Sequence, residues 1–445
     1  MFPETANILT NTGGMHAREK HLYIDPRKVL ISAFIIAVLL RIPRSFLGIP
    51  YIYSIRYVAR TLGDEMVTFG ITTVDVAAIF IGILLYTQRI DEKTRYWPFI
   101  LCVIGINAIR FLLGMTNMFS MHSYEVILSM IVGFSCATVI QQYYRTSDEI
   151  ESFFDVMIGV FFLSQLYFIL IGKAGRSGSY GTVGVGSGGL AVCYTTYLLL
   201  KLLNHTKDRK SIALMLASCV GLILTGSRTQ LLLLIVFAGF YVLFMTPMTS
   251  SQKWLLVITA GVGAACLFAF YDKIPFLANN KKIQSMMNLM TSGFVSYISG
   301  DASASERFST WTAALRVIGE HPLGIACSAL DLQNKMFRQG SPTFPHSYLL
   351  AYYLLLGVPA LFVYGSFWRL TIESRKYRTG VTLLMAYLML ILTFYGGLAT
   401  YYVMFFWLVM LYEYVKKKVA VCRDTTQETT NADTGTDAET LKIQQ

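Results

Sequence analysis

Charged residues are scarce in this chain. Asp, Glu, Lys and Arg together make up 14% of its 445 residues, whereas hydrophobic residues make up 54%. So little charge cannot cover the surface of a soluble domain, and this excludes an ordinary soluble globular protein. Long apolar runs separated by short polar breaks instead predict a polytopic membrane protein.

Cysteine is also limited, and its spacing excludes two kinds of site. Most of the seven cysteines lie inside apolar runs, and no CxxC pair occurs. The sequence therefore predicts neither zinc ligands nor a disulfide framework. Closely spaced acidic pairs are missing from the long polar segment, where Asp272, Asp301 and Asp331 stand alone.

Basic residues outnumber acidic ones and give a formal net charge of +11. No basic soluble domain accompanies this excess, so nucleic acid is not an expected partner. Lysines and arginines in loops that set the orientation of membrane spans explain the charge better.

The apolar runs predict about twelve transmembrane helices. No cleavage site follows the first run, from Val29 to Leu40, so we expect a retained span and not a signal peptide. The fold class is therefore all-α integral membrane, with one large outward-facing, partly helical loop before the tenth span. The predicted spans lie near residues 29–47, 69–87, 97–115, 122–140, 153–172, 185–203, 211–226, 229–246, 254–271, 346–368, 381–397 and 398–415.

The positive-inside rule predicts the orientation and the divisions of the chain. A cytoplasmic start places most loop lysines and arginines inside, although Arg41, Arg44, Arg56 and Arg60 then lie outside. Transmembrane helices 1–9 are assigned to residues 1–271, an extracytoplasmic loop with an amphipathic helix to 272–345, and helices 10–12 to 346–418. Residues 419–445 are polar and Thr-rich, which predicts a disordered cytoplasmic tail.

A short polar break at Thr225-Gly-Ser-Arg-Thr229 predicts a hairpin between two spans. Arg228 should then lie at a membrane face or in a water-filled mouth. A guanidinium group there either anchors the chain among lipid headgroups or grips a phosphate with two parallel hydrogen bonds.

The long polar segment contains a predicted amphipathic helix that carries Arg307. Ser303-Ala-Ser-Glu306 has the pattern of a capping box, and His321-Pro-Leu-Gly324 ends the helix. Arg307 lies one turn from Trp311, and by itself it is equally compatible with a solvent-facing arginine. The apolar side recurs every three to four residues, at Phe308, Trp311, Leu315 and Ile318.

His346 follows Pro345 and opens the predicted tenth span. An imidazole with an ordinary pKa of about 6.5 is well suited to accept a proton near neutral pH. Alternatively, the imidazole orients an acceptor without taking its proton, or it merely forms hydrogen bonds with backbone groups near the membrane interface.

A glycine-rich stretch, residues 172–189, carries Lys173 and Arg176 on the predicted outward side. Its end, Gly184-Val-Gly-Ser-Gly-Gly189, matches GxGxxG, but no strand precedes it, which excludes a dinucleotide fold. The stretch is either a flexible loop or a mobile flap whose backbone approaches a sugar or phosphate.

Charged side chains also occur inside predicted spans, at Asp75, Arg110, Glu125 and Asp155. A structural ion pair of Arg110 with Asp75 or Glu125 is one interpretation, and a proton or ion pathway in a transporter is the other. No internal repeat with corresponding broken helices is visible, which disfavours the transporter.

The order, spacing and sidedness of these motifs resemble the O-antigen ligase and O-antigen polymerase superfamily, whose members place about twelve spans around a large outward loop before the tenth. Ser347 stands where that family often has Asn after the histidine, and the Asn-Pro pattern common after its Arg-Gly loop is missing. The resemblance is carried by Thr225–Thr229, Glu306-Arg307-Phe-Ser-Thr-Trp311 with Ala313-Ala314, His321–Gly324, Pro345-His346-Ser-Tyr-Leu349 and Gly357.

The resemblance implies the reaction and its residues. Glycan passes from a polyprenyl-diphosphate carrier to an acceptor hydroxyl outside the cytoplasmic membrane, without nucleotide, metal or cofactor. Arg228 and Arg307 match the family's phosphate-contacting arginines, and His346 matches its essential histidine. Arg176 is a weaker match in the glycine-rich stretch, and it is expected to contact substrate together with Lys173. The aromatic side chains of Trp311, Tyr348, Tyr352 and Tyr353 either supply apolar faces for sugar rings or anchor the chain at the membrane interface.

The resemblance also implies partners and location. We expect an undecaprenyl-diphosphate-linked oligosaccharide as donor, an acceptor glycan or lipid core, membrane lipids, and contact with chain-length regulator and flippase proteins. The protein should be multi-pass in a bacterial inner membrane, with its site facing the periplasm. A polymerase is favoured over a ligase, and a flippase of lipid-linked glycan or a membrane scaffold are the remaining alternatives.

Overall fold

The computed structural model describes residues 25–40, 51–58, 65–72, 76–81, 96–114, 125–170, 187–204, 208–225, 227–246, 249–270, 273, 302–325, 335–340, 345, 347–375, 380–394, 406–407 and 409–421. Within these residues the fold is a bundle of helices with one two-stranded hairpin. The glycine-rich stretch with Lys173 and Arg176, and the tail after residue 421, lie outside the described residues.

The helices before the long polar segment follow the predicted apolar runs. Most boundaries lie within four residues of the prediction, as expected when length and hydropathy decide a helix. The exceptions are the start of α4, which begins at Ser147 and not at 153, and the end of the first span, since the described residues stop at Leu40. These helices are α1 (Pro26–Leu40), α2 (Tyr96–Leu112), α3 (Glu125–Tyr143), α4 (Ser147–Leu170), α5 (Ser187–Leu203), α6 (Arg209–Thr225), α7 (Arg228–Phe240, continued by a π-helical turn Tyr241–Met245) and α8 (Ser250–Phe270).

The amphipathic helix predicted in the polar segment is present, and it ends at the predicted turn. The helices from there on are α9 (Ala302–Glu320), α10 (Tyr348–Leu356), α11 (Pro359–Arg375), α12 (Gly380–Phe394) and α13 (409–421). Because α13 continues to residue 421, the predicted tail boundary at 419 falls inside a helix.

The start of the second predicted span, near residue 69, is wrong. Strands β1 (Tyr51–Val58) and β2 (Glu65–Thr72) form an antiparallel hairpin in which Ser54 pairs with Gly70. Aromatic and β-branched residues dominate β1, and these residues favour strands. The all-α prediction therefore holds for the described helical bundle but not for this hairpin.

The predicted tenth span, 346–368, is broken into α10 and α11. Gly357 separates them with φ of +75°, a left-handed conformation that a residue with a side chain seldom adopts. Pro359 is the first residue of α11, where its missing N–H costs no hydrogen bond. A glycine after one helix and a proline at the start of the next predict a helix break. The prediction of one span gave more weight to the continuous apolar run than to these two residues.

Among the described residues, one helix is long and apolar enough to cross a membrane by itself. It spans Ser147–Tyr167, 21 residues with a mean hydropathy of 1.4. Shorter apolar helices occupy Gly189–Leu203, Thr229–Phe244 and Thr382–Thr393. The count of about twelve spans remains a prediction.

Helix α5 is the centre of the bundle. It is buried from Leu190 to Leu200 and contacts α4, α6, α7 and α12. Gly221 lets α6 approach closely, because a Cβ there would lie 2.7 Å from the ring of Tyr194. The Tyr194 hydroxyl donates to Gln165 Oε1 at 2.9 Å, and this bond joins α5 to α4. Small residues and buried polar bonds of this kind hold helices together in membranes.

One end of the bundle holds most of the described ion pairs, and we call it the basic end. Lys201 Nζ lies 2.7 Å from both Glu151 Oε1 and Asp155 Oδ1. The Tyr197 hydroxyl also donates to Asp155, at 2.8 Å. Asp155 is thus an ion-pair partner of Lys201, a pair that the sequence analysis did not name.

Other contacts gather helix ends at the same place. Lys28 at the start of α1 pairs with Glu149 at the start of α4, at 2.7 Å. Lys417 of α13 donates to the Arg145 carbonyl at 2.5 Å. Arg145, Lys201 and Lys417, three of the basic residues that the positive-inside rule predicts to be cytoplasmic, therefore lie at one end of the bundle.

We predict that Lys201→Met destabilises the fold by about 3–5 kcal/mol, because it leaves two buried carboxylates without their shared cation. Lys210→Met is the matched control: Lys210 lies 3.4 Å from Asp155 but its side chain is 62% exposed. It should cost less than about 1 kcal/mol. Denaturant unfolding of the purified protein in detergent measures both, and equal losses would contradict the prediction.

Candidate functional site

The hairpin between α6 and α7 is formed as predicted. Helix α6 ends at Thr225 and α7 begins at Arg228. Ser227 is the N-cap of α7, but its side chain makes no capping hydrogen bond. The first N–H groups of a helix have no partner within it and carry its positive dipole end. This turn is therefore suited to bind an anion. The side chain of Arg228 is not among the described side chains.

Arg307 of α9 reaches this turn. Its Nη1 donates to Thr229 Oγ1 at 3.3 Å, across 78 residues of sequence. Its Nε is buried and makes no hydrogen bond in the described part of the chain. Arg307 therefore lies beside the backbone next to Arg228 with donor capacity to spare. The two arginine positions singled out in the sequence meet at the start of α7.

Gln230, two residues after Arg228, was missed by sequence reasoning. It is fully buried, and its Oε1 accepts a hydrogen bond from the Tyr387 hydroxyl of α12 at 2.7 Å. The Tyr387 ring also packs edge-on against Phe237, with centroids 5.6 Å apart. These contacts fasten the first turn of α7 to α12. A single glutamine at the start of an apolar run could have indicated a buried polar contact.

His346 lies outside the described residues, but both its neighbours are buried. Ser347 is the N-cap of α10: its hydroxyl accepts from the Leu350 N–H at 3.3 Å and donates to the Thr393 carbonyl at 2.6 Å. The start of α10, which directly follows His346 in the sequence, is therefore held against the end of α12. Ser and Asn cap helices equally well, which gives a physical reason why Ser347 can replace the family's usual Asn.

The two aromatic residues predicted to contact sugars differ in exposure. Trp311 on α9 is half-buried. Tyr348 is buried and packs on Tyr352, with ring centroids 5.6 Å apart. A sugar could reach Tyr348 only after the ring is uncovered, and the role of both residues stays a prediction.

The turn after α9 joins that helix to α10. The Gly324 N–H donates to the His321 carbonyl at 2.9 Å, and Gly324 has φ of +83°. The Ile325 N–H donates to the Leu354 carbonyl at 2.6 Å, and the Tyr353 hydroxyl donates to the Pro322 carbonyl at 2.6 Å. The helix that carries Arg307 and the helix that follows His346 are thus tied together directly.

His321 in this turn faces a lysine. Lys335 Nζ lies 2.5 Å from His321 Nε2. Burial lowers the pKa of His321, and the neighbouring Lys335 ammonium lowers it further. The imidazole is therefore held neutral, so that Nε2 accepts from the ammonium group.

Within the described part of the chain, no group of three His, Cys, Asp or Glu side chains could hold a metal ion.

The fold and the site define a class: a helical bundle of membrane-protein composition, in which an arginine from a connecting helix lies at a helix start that has no side-chain capping bond. Residues 212–365 match the O-antigen ligase family. That stretch is roughly a third of the chain and contains Arg228, Arg307 and His346. The resemblance to the O-antigen ligase and polymerase superfamily, a family of bacterial membrane proteins, is confirmed. No curated protein matches the chain significantly.

We predict that Ser347→Ala destabilises the protein by about 1–2 kcal/mol, because it removes the cap of α10 and leaves the Thr393 carbonyl without this donor. Ser366→Ala on α11 is the control, since the Ser366 hydroxyl bonds only to its own helix, to the Phe362 carbonyl. It should change stability by less than about 0.5 kcal/mol. Denaturant midpoints in detergent compare the two, and a neutral Ser347→Ala would refute the role of the cap.

We also predict that the turn after α9 loosens in acid. The pKa of His321 is lowered in the folded protein, so as pH falls below about 6.5 the imidazole is protonated in the unfolded chain before it is protonated in the folded chain. The free energy of unfolding therefore keeps its full value above that pH and decreases as pH falls. The protection of residues 335–340 against hydrogen exchange, corrected for the pH dependence of the intrinsic exchange rate, should decrease between about pH 7 and 5. His321→Gln should abolish this decrease, and an unchanged decrease in the variant would contradict the assignment.

Proposed function

We propose that this protein is a surface-polysaccharide polymerase of O-antigen type. It transfers glycan from an undecaprenyl-diphosphate carrier to an acceptor sugar hydroxyl on the outer face of the bacterial cytoplasmic membrane. The observation that carries the proposal is the contact of Arg307 with Thr229 at the start of α7. It supports a shared anion site for Arg307 and Arg228.

The charge at this site suits the leaving group. In the transfer, the acceptor oxygen attacks the anomeric carbon and the bond from that carbon to the phosphate oxygen breaks. The electron pair stays on the diphosphate, where negative charge grows. The Arg307 guanidinium and the positive end of α7 stabilise that charge, and they act more strongly where water is excluded.

The proton of the attacking hydroxyl needs an acceptor, and His346 is the proposed one. A positioned general base typically contributes about 10²–10⁴-fold to the rate. Support for this role comes from the next residue, Ser347, whose bonds to Leu350 and Thr393 fix the start of α10.

A ligase that moves finished glycan onto a lipid core is the second candidate. The description of the matched family, O-antigen ligase, favours it. Both candidates use the same donor chemistry and the same residues, and they differ in the acceptor.

We predict that purified wild type with lipid-linked repeat units yields a ladder of longer lipid-linked products. Arg228→Ala, Arg307→Ala and His346→Ala should each lower product formation at least about 10²-fold, because each removes charge stabilisation or the base. Gel analysis of the products measures this, with normal expression of each variant confirmed.

The matched control is Arg316→Ala, because Arg316 is an exposed arginine on the same helix as Arg307. It should keep wild-type activity. A single band that forms only with a lipid-core acceptor would replace the polymerase by the ligase. Translocation of the unit without a new glycosidic bond would contradict the enzyme and favour a flippase.

A further inference from the structure

We propose that Arg110 is a positioning residue of the transfer site: it holds the turn after α9 and the end of α10 in one fixed arrangement. The proposal rests on the function proposed above, because α9 carries Arg307 and α10 begins directly after His346 and Ser347. An ion pair of Arg110 with Asp75 or Glu125 and a transport pathway, the two interpretations drawn from the sequence, both stay predictions.

The guanidinium of Arg110 is completely buried, and three of its hydrogen bonds go to neutral oxygens. Its Nη1 donates to Asn107 Oδ1 at 3.0 Å and to the Leu355 carbonyl at 3.2 Å. Its Nη2 donates to the Leu323 carbonyl. The carboxylates of Asp75 and Glu125 lie outside the described side chains. The bonds that the structure describes are therefore bonds to polar neutral groups.

The two carbonyls belong to the segments that the site needs. Leu323 lies in the turn that ends α9, and Leu355 lies in the last turn of α10. Carbonyls at a helix end lack partners within the helix and carry the negative end of its dipole. One planar guanidinium can serve both segments at once, which a lysine ammonium cannot do with the same geometry.

Two glycines make this approach possible. A Cβ at Gly357 would lie 2.7 Å from Nη2 of Arg110, and it would overlap the Leu323 carbonyl oxygen. A Cβ at Gly324 would overlap Nη2 and lie 2.9 Å from the Leu354 carbonyl oxygen. Both glycines also have positive φ. The three segments therefore meet where only residues without side chains fit.

The consequence for catalysis follows from the length of α9. Arg307 and the turn at Leu323 lie near opposite ends of the helix, about 20 Å apart at 1.5 Å per residue. A rotation of about 3° at the turn would then move Arg307 by about 1 Å. A misplacement of that size can cost about 10²-fold in rate. The direct bonds between the turn and α10 keep the segments attached, so loss of Arg110 alters geometry more than attachment.

The test compares Arg110→Met, Arg110→Lys, Gly324→Ala and Gly357→Ala in the purified polymerase assay. Each should lower kcat about tenfold or more, while KM for the lipid-linked unit stays within about threefold. Arg110→Lys keeps the charge but loses the fork, so it should remain impaired. Gly340→Ala is the matched control, since Gly340 has φ of +80° but a Cβ there meets nothing within 4 Å.

A second readout does not depend on catalysis. Spin labels at Ser309 of α9 and Lys210 of α6, both exposed, report the distance from α9 to the basic end in a cysteine-free background. The distance distribution should shift or broaden in Arg110→Met and in both glycine variants. Labels at Lys210 and Lys416 within the basic end should give unchanged distances.

Each outcome decides the proposal. Full activity in Arg110→Lys would overturn it, because charge alone would then suffice, as in a transport pathway. Equal losses in Gly340→Ala and Gly357→Ala would overturn it, since backbone strain would explain both. Unchanged distances would overturn it too. If wild type forms no glycosidic bond, the proposed function fails, and the distance measurement still decides whether Arg110 holds the two segments. If Arg110→Met does not fold, the glycine variants carry the test.

Discussion

Backbone carbonyls at a break in a buried helix need hydrogen-bond donors, and an apolar bundle offers few of them. The arrangement of the proposed site depends on which side chain supplies these donors. Burying a polar group without a hydrogen bond costs on the order of 1–3 kcal/mol, so a break is tolerated only beside a suitable side chain. Arg110 supplies donors to the end of α10 and to the turn after α9. The break at Gly357 therefore becomes a fixed corner, and α10 can begin beside Thr393 and end beside Leu323.

The polar interactions divide the bundle into two ends with different roles. At the basic end, Lys201, Glu151 and Asp155 neutralise one another and gather helix ends that are distant in sequence. At the other end, donors outnumber their described acceptors: Arg307 Nε and Gln230 Nε2 are buried without a partner in the described residues. Neutralised ion pairs rigidify a fold, whereas unused donors suit an oxygen-rich anionic ligand. The two buried donors therefore support the proposal that the chemistry occurs where α6 turns into α7.

The proposed reaction needs a fixed cation, a fixed base and little reorganisation between them. Arg307 approaches the start of α7, which Gln230 and Tyr387 fasten to α12. Ser347 fastens the start of α10 to the same helix through Thr393. Helix α12 therefore contacts both segments of the proposed site, the start of α7 and the start of α10. Positions held by packed helices are more accurate than positions held by loops, which is what charge stabilisation in a transition state requires.

The sequence by itself determined the apolar helices, the hairpin at Thr225–Thr229 and the turn that ends α9, because these depend on composition and spacing within one or two dozen residues. The β1–β2 hairpin and the break at Gly357 also had local signals, in strand-forming residues and in a glycine followed by a proline. The prediction gave more weight to the long apolar runs than to those local signals. No local signal identifies Leu323 and Leu355 as the partners of Arg110, because they lie 213 and 245 residues away in the sequence. Which donors and acceptors meet was decided by tertiary packing, since a buried hydrogen bond depends on the approach of helices and not on their order in the chain.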